Sequence, residues 1–227
     1  MAKRQPEQTY ERILNAAAFE FADKGLSGAR VDAIAERAGA NKRMLYHYFG
    51  NKEALYLVVM EHAYEAIRTA EQELELESRE PVDAIRELVR FTFNYFVEHP
   101  EFMRLLNNEN LYNAQYIRQS NRIKALHFPL VGYIGEVLER GERQGLFRSG
   151  VDPVQLYISI AGIGYFYLSN SATLETIFDR DLHSEQALQV RLDHITAIIV
   201  DYLTTTSGDR RDTSEASPLP GIAASPA

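Results

Sequence analysis

Four polar side chains in one short segment have the chemistry to contact a nucleic acid: Lys42, Arg43, Tyr46 and His47. Their i, i+1, i+4, i+5 spacing places them together on one face of an α-helix and leaves an apolar face for packing. Two cations, a phenol and an imidazole can contact phosphate oxygens and base edges in a major groove. The alternative is a solvated polar face on an ordinary helical hairpin, which the charge pattern alone does not exclude.

The residues just before this segment predict a helix-turn-helix. A short first helix is lined by small and branched apolar side chains: Val31, Ile34, Ala35 and Ala38. Gly39 permits a positive φ in the turn, and Asn41 is a good cap for the second helix. In such a unit the second helix, here called the reading helix, enters the major groove.

Charge is distributed unevenly along the chain, although the whole protein is acidic, with a formal charge of -8. Residues 1–52 contain nine Lys and Arg against six Asp and Glu, whereas the remaining residues contain 15 against 26. A weakly basic end on an acidic body favours the approach of that end to phosphate. Taken alone, so small an excess of positive charge could be chance, and it gains meaning from the helix-turn-helix.

Helical periodicity dominates the sequence, and no run shows the sustained alternation of a strand, so we predict an all-α fold. The predicted helices span residues 9–24, 31–38, 42–49, 52–76, 81–98, 101–108, 114–143, 153–170 and 185–206. Pro81 and Pro153 suit the first position of a helix, and Asp152 suits an N-cap. Pro129 should kink or end the helix around it.

The sequence divides into three predicted segments. Residues 1–52 would form the helix-turn-helix domain, and residues 53–206 a larger helical domain with a core of its own. From Ser207 onward the chain is rich in Ser, Pro and Ala. Such a composition buries too little surface to offset the entropy of ordering, so residues 207–227 are predicted to be a disordered tail.

Three motifs occur in register near the N-terminus: Ile34-Ala35-Glu36-Arg37-Ala38-Gly39, Leu45-Tyr46-His47-Tyr48-Phe49 and Asn51-Lys52-Glu53-Ala54-Leu55. Together they resemble the DNA-binding domain of the TetR family of bacterial regulators, over about the first quarter of the chain. The resemblance implies a set of DNA contacts at the reading helix and its borders: Arg30, Asn41, Lys42, Arg43, Met44, Tyr46, His47 and Lys52.

Within this set the resemblance assigns different roles. Tyr46 and Lys52 would mainly hold phosphate, and the residues nearest base edges would be Lys42, Arg43, Met44 and His47. Arg30 replaces a small hydroxyl residue of the family and is predicted to add a phosphate contact. Arg43 and Met44 stand where the family often has Gly followed by Thr or Ser, so the operator sequence of relatives does not carry over.

Two segments of the larger domain combine aromatic rings with amides, which suits a pocket for a flat polar ligand. The resemblance to the TetR family is the main reason to expect a pocket, and it implies one between the fourth, fifth, seventh and eighth helices. The predicted pocket residues are Phe91, Asn94, Tyr95, Phe102, Asn107, Asn110, Tyr165, Tyr167 and Asn170. The alternative is that the rings form ordinary helical core and the amides satisfy buried backbone groups.

A second resemblance bears on the ligand. Residues 99–108 and 164–178 are similar to the body of the pyrimidine-utilisation repressor group. This implies an N-heterocycle such as uracil, or a ring acid such as nicotinate, as the effector. Arg104, Arg118 or Arg122 could pair with the carboxylate of such an acid, although an Arg on a helix is more often a surface group.

The last two long helices carry apolar residues at helical intervals and predict a homodimer interface made of Leu156, Ile160, Ile163, Leu188, Leu192, Ile195 and Ile199. The equivalent helices form a four-helix interface in the family that the N-terminus resembles, and a two-fold operator requires a two-fold protein. The alternative is that these residues close the core of a single chain.

The sequence gives no support for an enzyme or a membrane protein. It has no Cys, no GxSxG elbow, no phosphate-binding loop and no HExxH zinc motif, so no catalytic residue, metal site or cofactor is predicted. No run approaches the ~18 uncharged apolar residues of a membrane span, and no signal peptide is recognisable. We therefore expect a cytoplasmic protein.

These observations together predict a homodimeric transcription regulator that binds a double-stranded DNA operator and a small-molecule effector. The main interpretation is a repressor of a catabolic operon, released by a planar N-heterocycle or aromatic acid. One alternative is a helical interaction module that does not bind DNA. The other is an activator or a co-repressed regulator with the same fold.

Overall fold

A computed structural model describes residues 4–204, and the side chains of residues 7–126 and 129–204. This part of the chain is helical throughout and contains no strand, which confirms the predicted all-α fold. No helix in it is both long and apolar enough to cross a membrane. The α-helices are α1 (Arg4–Gly28), α2 (Val31–Arg37), α3 (Lys42–Phe49), α4 (Lys52–Gln72), α5 (Pro81–Glu98), α6 (Pro100–Leu111), α7 (Asn121–Arg143), α8 (Pro153–Ser169), α9 (Ser171–Phe178) and α10 (Glu185–Thr204).

Local sequence signals set several helix starts. Asn41 Oδ1 accepts the N–H of Met44 at 2.9 Å and so caps α3, as predicted. Asp152 accepts two N–H groups in the first turn of α8, as predicted. Pro81 and Pro153 occupy first helical positions, where the missing N–H has no intrahelical partner to lose.

The N-terminal helices pack around a core that also extends into the larger part of the molecule. Phe21 from α1, Ile34 from α2 and Leu45 from α3 are fully buried in this core. Leu55 and Met60 bring the first half of α4 into it. Since α4 then continues without a break, the predicted boundary at residues 52 and 53 coincides with the start of a helix shared by both regions. The division into domains stays a prediction.

A second core fills the larger part. Leu88 of α5, Ile134 of α7, Leu156 of α8 and Ile199 of α10 pack together and are almost fully buried. A third, smaller cluster joins Ile67 of α4 to aromatic and sulfur-containing residues: Tyr95, Phe96, Phe102 and Met103. The helices α4, α5, α6 and α8 therefore meet around an aromatic interior.

The predicted helix over residues 114–143 is wrong at its start. Asn113 and Ala114 adopt positive φ values of 53° and 59°, and only a short 3₁₀ helix, Ile117–Gln119, precedes α7. The buried carboxylate of Glu109 accepts two backbone N–H groups of this segment, which stabilises it in place of a helical ladder. Pro129 lies inside a continuous α7, so the helix does not end there.

Two further helix predictions need correction. The helix predicted over residues 52–76 ends at Gln72, and Glu75 takes a left-handed conformation with a φ of 49° before the 3₁₀ helix Leu76–Ser78. No helix is predicted between residues 170 and 185, but Ser171–Phe178 forms α9. Because a single residue, Asn170, separates α8 from α9, the sequence offers no break of the usual length. The predicted tail, residues 207–227, lies outside the described residues.

Candidate nucleic-acid interface and effector site

The outer face of α3 has the composition of a DNA-reading surface. Leu45 and Phe49 anchor the helix in the N-terminal core. The other side of α3 exposes the four predicted contact residues: Lys42, Arg43, Tyr46 and His47. Met44 is half-buried beside them, and Arg30, before α2, is exposed. The predicted split between a packing face and a free face is therefore present in the structure.

An aromatic cluster fixes how α3 sits against α1. The Tyr10 ring stacks on the Phe49 ring with centroids 4.7 Å apart, and meets the Tyr48 ring edge-on at 6.0 Å. These contacts come from residues on the inner side of α3, so they orient the helix without using its outer face.

Two of the predicted contact lysines already have partners in the protein. Lys42 Nζ lies 2.6 Å from Asp32 Oδ1 of α2, and both side chains are about half exposed. Lys52 Nζ donates to the backbone oxygen of Ala29 at 3.3 Å. In contrast, Arg30 and Arg43 are exposed and form no ion pair with another described residue. Arg43 is therefore the cation on α3 that is immediately available to DNA.

The start of α2 is held by a buried carboxylate. Glu20 Oε1 accepts the backbone N–H of Arg30 at 3.3 Å and pairs with Lys24 at 3.0 Å. Burial disfavours the Glu20 carboxylate, but these hydrogen bonds outweigh it and lower the pKa of the group. Glu20 thus fixes the chain just before the helix-turn-helix.

The nine predicted pocket residues do not share one cavity. Tyr95 and Phe102 line a cavity of about 520 Å³ between α1, α4, α5 and α6. Asn107, Asn94 and Tyr167 line three other cavities. The structure therefore separates the residues that aromatic composition had grouped together.

The remaining four predicted pocket residues have structural partners or are exposed. Phe91 packs on the Tyr95 ring, with centroids 5.6 Å apart. The Tyr165 hydroxyl donates to Asn107, and the Asn170 amide donates to backbone and hydroxyl oxygens of its own helix end. Asn110 is exposed. For Phe91, Tyr165 and Asn170 the alternative interpretation, that of core and capping groups, describes the contacts better.

A buried ion pair in α4 was not predicted from the sequence. Arg68 and Glu71 are each 3% exposed, and Arg68 Nη1 lies 2.6 Å from Glu71 Oε2. Arg68 Nη2 also donates to the Tyr157 hydroxyl of α8 at 2.7 Å. The sequence signal was available, because both residues share the inner helical face of Met60 and Ile67.

The hydrogen-bonding capacity of this pair is mostly unused. The Arg68 and Glu71 side chains are close but are not aligned for a hydrogen bond. Four buried atoms therefore lack a hydrogen-bond partner among the described residues: Nε and Nη1 of Arg68, and both carboxylate oxygens of Glu71. Each unsatisfied buried group costs about 1–3 kcal/mol. Burial raises the pKa of the Glu71 carboxyl to about 7, although the Arg68 guanidinium acts in the opposite direction. The site is therefore energetically costly for a protein core.

The three arginines that the sequence suggested as carboxylate partners are not buried in this way. Arg122 forms a surface ion pair with Glu65, Arg118 is exposed, and Arg104 is exposed at the rim of two cavities. The described residues contain no group of three or more acidic or imidazole side chains that could hold a metal ion. Among the arginines considered for a ligand carboxylate, none is as enclosed as Arg68.

Four of the seven residues predicted at the dimer interface are buried within a single chain. Leu156, Ile160, Ile195 and Ile199 are at most 3% exposed and lie inside the core of one chain. The other three predicted residues, Ile163, Leu188 and Leu192, are half-buried against the same core. The predicted residues lie on the inward faces of α8 and α10. Because α8 is apolar around most of its circumference, helical periodicity does not show which of its faces points into the core.

The outward faces of the same two helices are also apolar. Each carries large hydrophobic side chains that are 41–62% exposed: Val154, Ile158 and Phe166 on α8, and Val190, Ile198 and Tyr202 on α10. On each helix these residues are spaced four or eight positions apart, so they form one stripe along it. Gly162 lies between Ile158 and Phe166 on the α8 stripe and leaves room for close approach of another helix. Such a surface has the apolar character of a partner-binding face.

Comparison with protein families gives two matches. Residues 13–59 match "Bacterial regulatory proteins, tetR family", and residues 81–199 match "Tetracyclin repressor-like, C-terminal domain". The first match contains the helix-turn-helix, and the second contains most of the larger helical part.

Individual relatives agree with these matches. The chain is 40% identical over 183 residues to the HTH-type transcriptional repressor NicS of Pseudomonas putida, which covers 81% of this chain and 86% of that protein. It is 27% identical over 191 residues to the HTH-type transcriptional regulator RutR of Escherichia coli, with 83% and 87% covered. The crystal structure of SCO4942 from Streptomyces coelicolor superimposes with a TM-score of 0.65 at 26% identity, covering 86% and 98%. These similarities confirm both resemblances predicted from the sequence.

Proposed function

The chain belongs to the TetR family of bacterial regulatory proteins, and from this premise we propose that it represses a catabolic operon and leaves its operator when a small planar effector binds. The effector would be an N-heterocycle or an aromatic acid. Its cytoplasmic location follows from the proposal, because a repressor acts on the chromosome.

The outer face of α3 carries this proposal. Arg43 and His47 project from a helix whose inner side is fixed in the core, so their placement relative to the rest of the N-terminal unit is rigid. The Arg43 guanidinium can donate two hydrogen bonds to a guanine edge, and Tyr46 can reach phosphate. An interaction module without DNA binding would leave this cationic face unexplained.

We further propose that two chains associate through the outward faces of α8 and α10. A four-helix interface would bury the exposed apolar stripes and relate the two α3 helices by a two-fold axis. Two reading helices separated by roughly 34 to 36 Å would then meet successive major grooves on one side of the duplex. In this arrangement residues 1–52 read DNA, and residues 53–206 sense the effector and dimerise.

The effector acts in this proposal by selecting a dimer geometry in which the two α3 helices no longer match the operator. A ligand changes this equilibrium only if it binds one geometry more tightly than the other. The aromatic interior between α4, α5, α6 and α8 is the region where a planar molecule could bind one dimer geometry more tightly than the other.

In vitro selection tests the proposal. Sheared genomic DNA is passed over the purified full-length protein, and retained fragments are sequenced. We expect an enriched inverted repeat beside genes for a catabolic pathway. The same selection with Arg43→Ala should lose the enrichment, whereas Lys124→Ala, which removes an exposed cation on α7, should keep it.

The other outcomes separate the alternatives. Enrichment that requires an added effector would indicate a co-repressed regulator. A retained repeat whose downstream promoter is stimulated by the protein would indicate an activator. Failure of the folded protein to retain any sequence at low salt would contradict DNA binding and favour the interaction module.

A further inference from the structure

We propose that Arg68, Glu71 and Tyr157 form the anion-binding end of the effector pocket, and that the effector is a planar aromatic acid whose carboxylate binds Arg68 in place of Glu71. This inference rests on the proposed function and narrows its effector from two chemical classes to one. Arg68 takes the place of Arg104, Arg118 and Arg122, the carboxylate partners that the sequence suggested.

The unused donors of Arg68 point to a carboxylate. A guanidinium has five N–H donors in a planar fork that matches the two oxygens of a carboxylate. In this protein one donor is used by Tyr157, and the Glu71 contact is not aligned for a hydrogen bond. A ligand carboxylate that approached Arg68 in the plane of its fork would satisfy donors that Glu71, one helical turn away on the same helix, leaves unused.

The surroundings of the pair point to a flat ring. The Tyr95 ring meets the Phe102 ring edge-on at 5.8 Å, and Tyr64 meets Phe102 edge-on at 5.7 Å. Such walls accept a planar apolar body and leave its polar end to the charged residues.

Tyr95 lies beside both a cavity and the ion pair. It lines the cavity of about 520 Å³ between α1, α4, α5 and α6, and it is close enough to Arg68 and Glu71 that both charges act on its pKa. The ligand would enter from this cavity and displace the Tyr95 ring to reach Arg68.

The charge balance predicts a proton. Arg68 and Glu71 together are neutral, so a bound carboxylate would leave one uncompensated negative charge in the interior unless Glu71 became protonated. Glu71 is suited to this because burial raises the pKa of its carboxyl to about 7. The phenols that face the pair are Tyr64 on α4, Tyr95 on α5 and Tyr157 on α8, and burial raises the pKa of each, so they stay neutral at this pH.

Calorimetry on the full-length protein tests the inference. The probes are benzoate and pyridine-3-carboxylate, with benzamide and pyridine-3-carboxamide as neutral matches. We expect the acids to bind about 100-fold more tightly than the amides, because an amide cannot pair with the Arg68 charge. Titrations at pH 7.5 in buffers of different ionisation enthalpy should show uptake of about half a proton or more per bound acid.

Variants identify the residues responsible. Arg68→Met should abolish acid binding, and Arg68→Lys should weaken it about tenfold or more, because Lys lacks the planar fork. Glu71→Gln should keep acid binding and lose the proton uptake. Arg104→Met, which removes an exposed arginine at the cavity rim, should leave affinity unchanged. If circular dichroism shows that Arg68→Met does not fold, Arg68→Lys decides the role of Arg68.

Equal affinity for acids and amides, or binding of neither by folded protein at millimolar concentration, overturns the inference. Tight binding of uracil together with no binding of the acids would also overturn it. Operator binding by the unliganded protein is measured in parallel by fluorescence anisotropy. Loss of that binding contradicts the proposed function, whereas normal operator binding without acid discrimination contradicts only this inference.

Discussion

The side-chain amide of Asn108 donates to the backbone oxygen of Phe21 at 3.1 Å, and so joins the end of α6 to the α1 helix that supports the reading unit. Four residues along, the Tyr112 hydroxyl lies 2.5 Å from Ser27 Oγ and accepts the Ser27 N–H at 3.2 Å. These contacts connect the helix beside the proposed effector pocket directly to the DNA-binding end.

Replacing Asn108 should weaken communication between the two ends. In Asn108→Ala we expect effector affinity and unliganded operator affinity to stay within about threefold of the original, while the effector's ability to release operator falls about tenfold, within the usual range of coupling energies. Anisotropy titrations of labelled operator with and without effector measure this. Leu111→Ala, at a position that is 80% exposed on the same helix, is the control. Full release by the Asn108 variant would contradict the connection.

Asp32 should reduce DNA affinity by holding Lys42. Asp32→Asn removes the ion-pair partner and frees Lys42 for phosphate, so we expect tighter operator binding and a salt dependence steeper by about 0.9 in logarithmic slope. The slope is measured by titrating operator at several salt concentrations. Asp83→Asn, an exposed position on α5, makes the same change in net charge and should have little effect. Equal slopes in the two variants would contradict the prediction.

The proposed dimer surface predicts a specific monomeric variant. Ile158 is 54% exposed, so Ile158→Lys should fold normally yet place a charge in the apolar interface and dissociate the dimer. Sedimentation velocity at micromolar concentration should show a monomer, and operator affinity should fall with it. Leu111→Lys, at a position that is 80% exposed on α6, should remain dimeric. An unaffected dimer in the Ile158 variant would place the interface elsewhere.

The raised pKa of Glu71 predicts how stability depends on pH. The folded protein holds the Glu71 proton with a pKa of about 7, against 4.5 for the unperturbed group. The folded state therefore binds this proton more tightly than the unfolded chain, and its stabilising effect is lost as pH rises from 4.5 to about 7. The loss should amount to roughly 3 kcal/mol.

Urea unfolding at several pH values measures the free energy of unfolding of the original protein and of Glu71→Gln, whose residue 71 side chain cannot titrate. We expect the stability of the original protein relative to the variant to decline as pH rises through that interval. A difference that stays constant with pH would show that Glu71 does not hold a proton in the folded core.

Local signals made the reading unit predictable from sequence. Its signals lie within a few residues of each other: the turn at Gly39, the Asn41 cap, and the apolar Leu45 and Phe49 between cations. Local sequence is therefore enough to predict them. The side-chain partners of these residues could not be predicted from the sequence. The pairing of Lys42 with Asp32 depends on how α2 packs on α3, which residue spacing does not specify.

The effector site and the dimer face depended on tertiary packing. Aromatic composition could not show that Tyr95 and Tyr167 line different cavities. Leu156 and Ile158 differ by two positions on an apolar helix, so only the packing of α8 shows which of them faces inward. Arg68 was overlooked because a charged residue in a helix is usually at the surface.

Hydroxyl-radical footprinting of the selected operator tests the central claim, that a two-fold dimer reads DNA with the outer face of α3. We expect two protected patches on one face of the duplex, centred roughly 34 to 36 Å apart, that disappear in Arg43→Ala and persist in Lys124→Ala. A single patch, or protection that Arg43→Ala leaves intact, would contradict it.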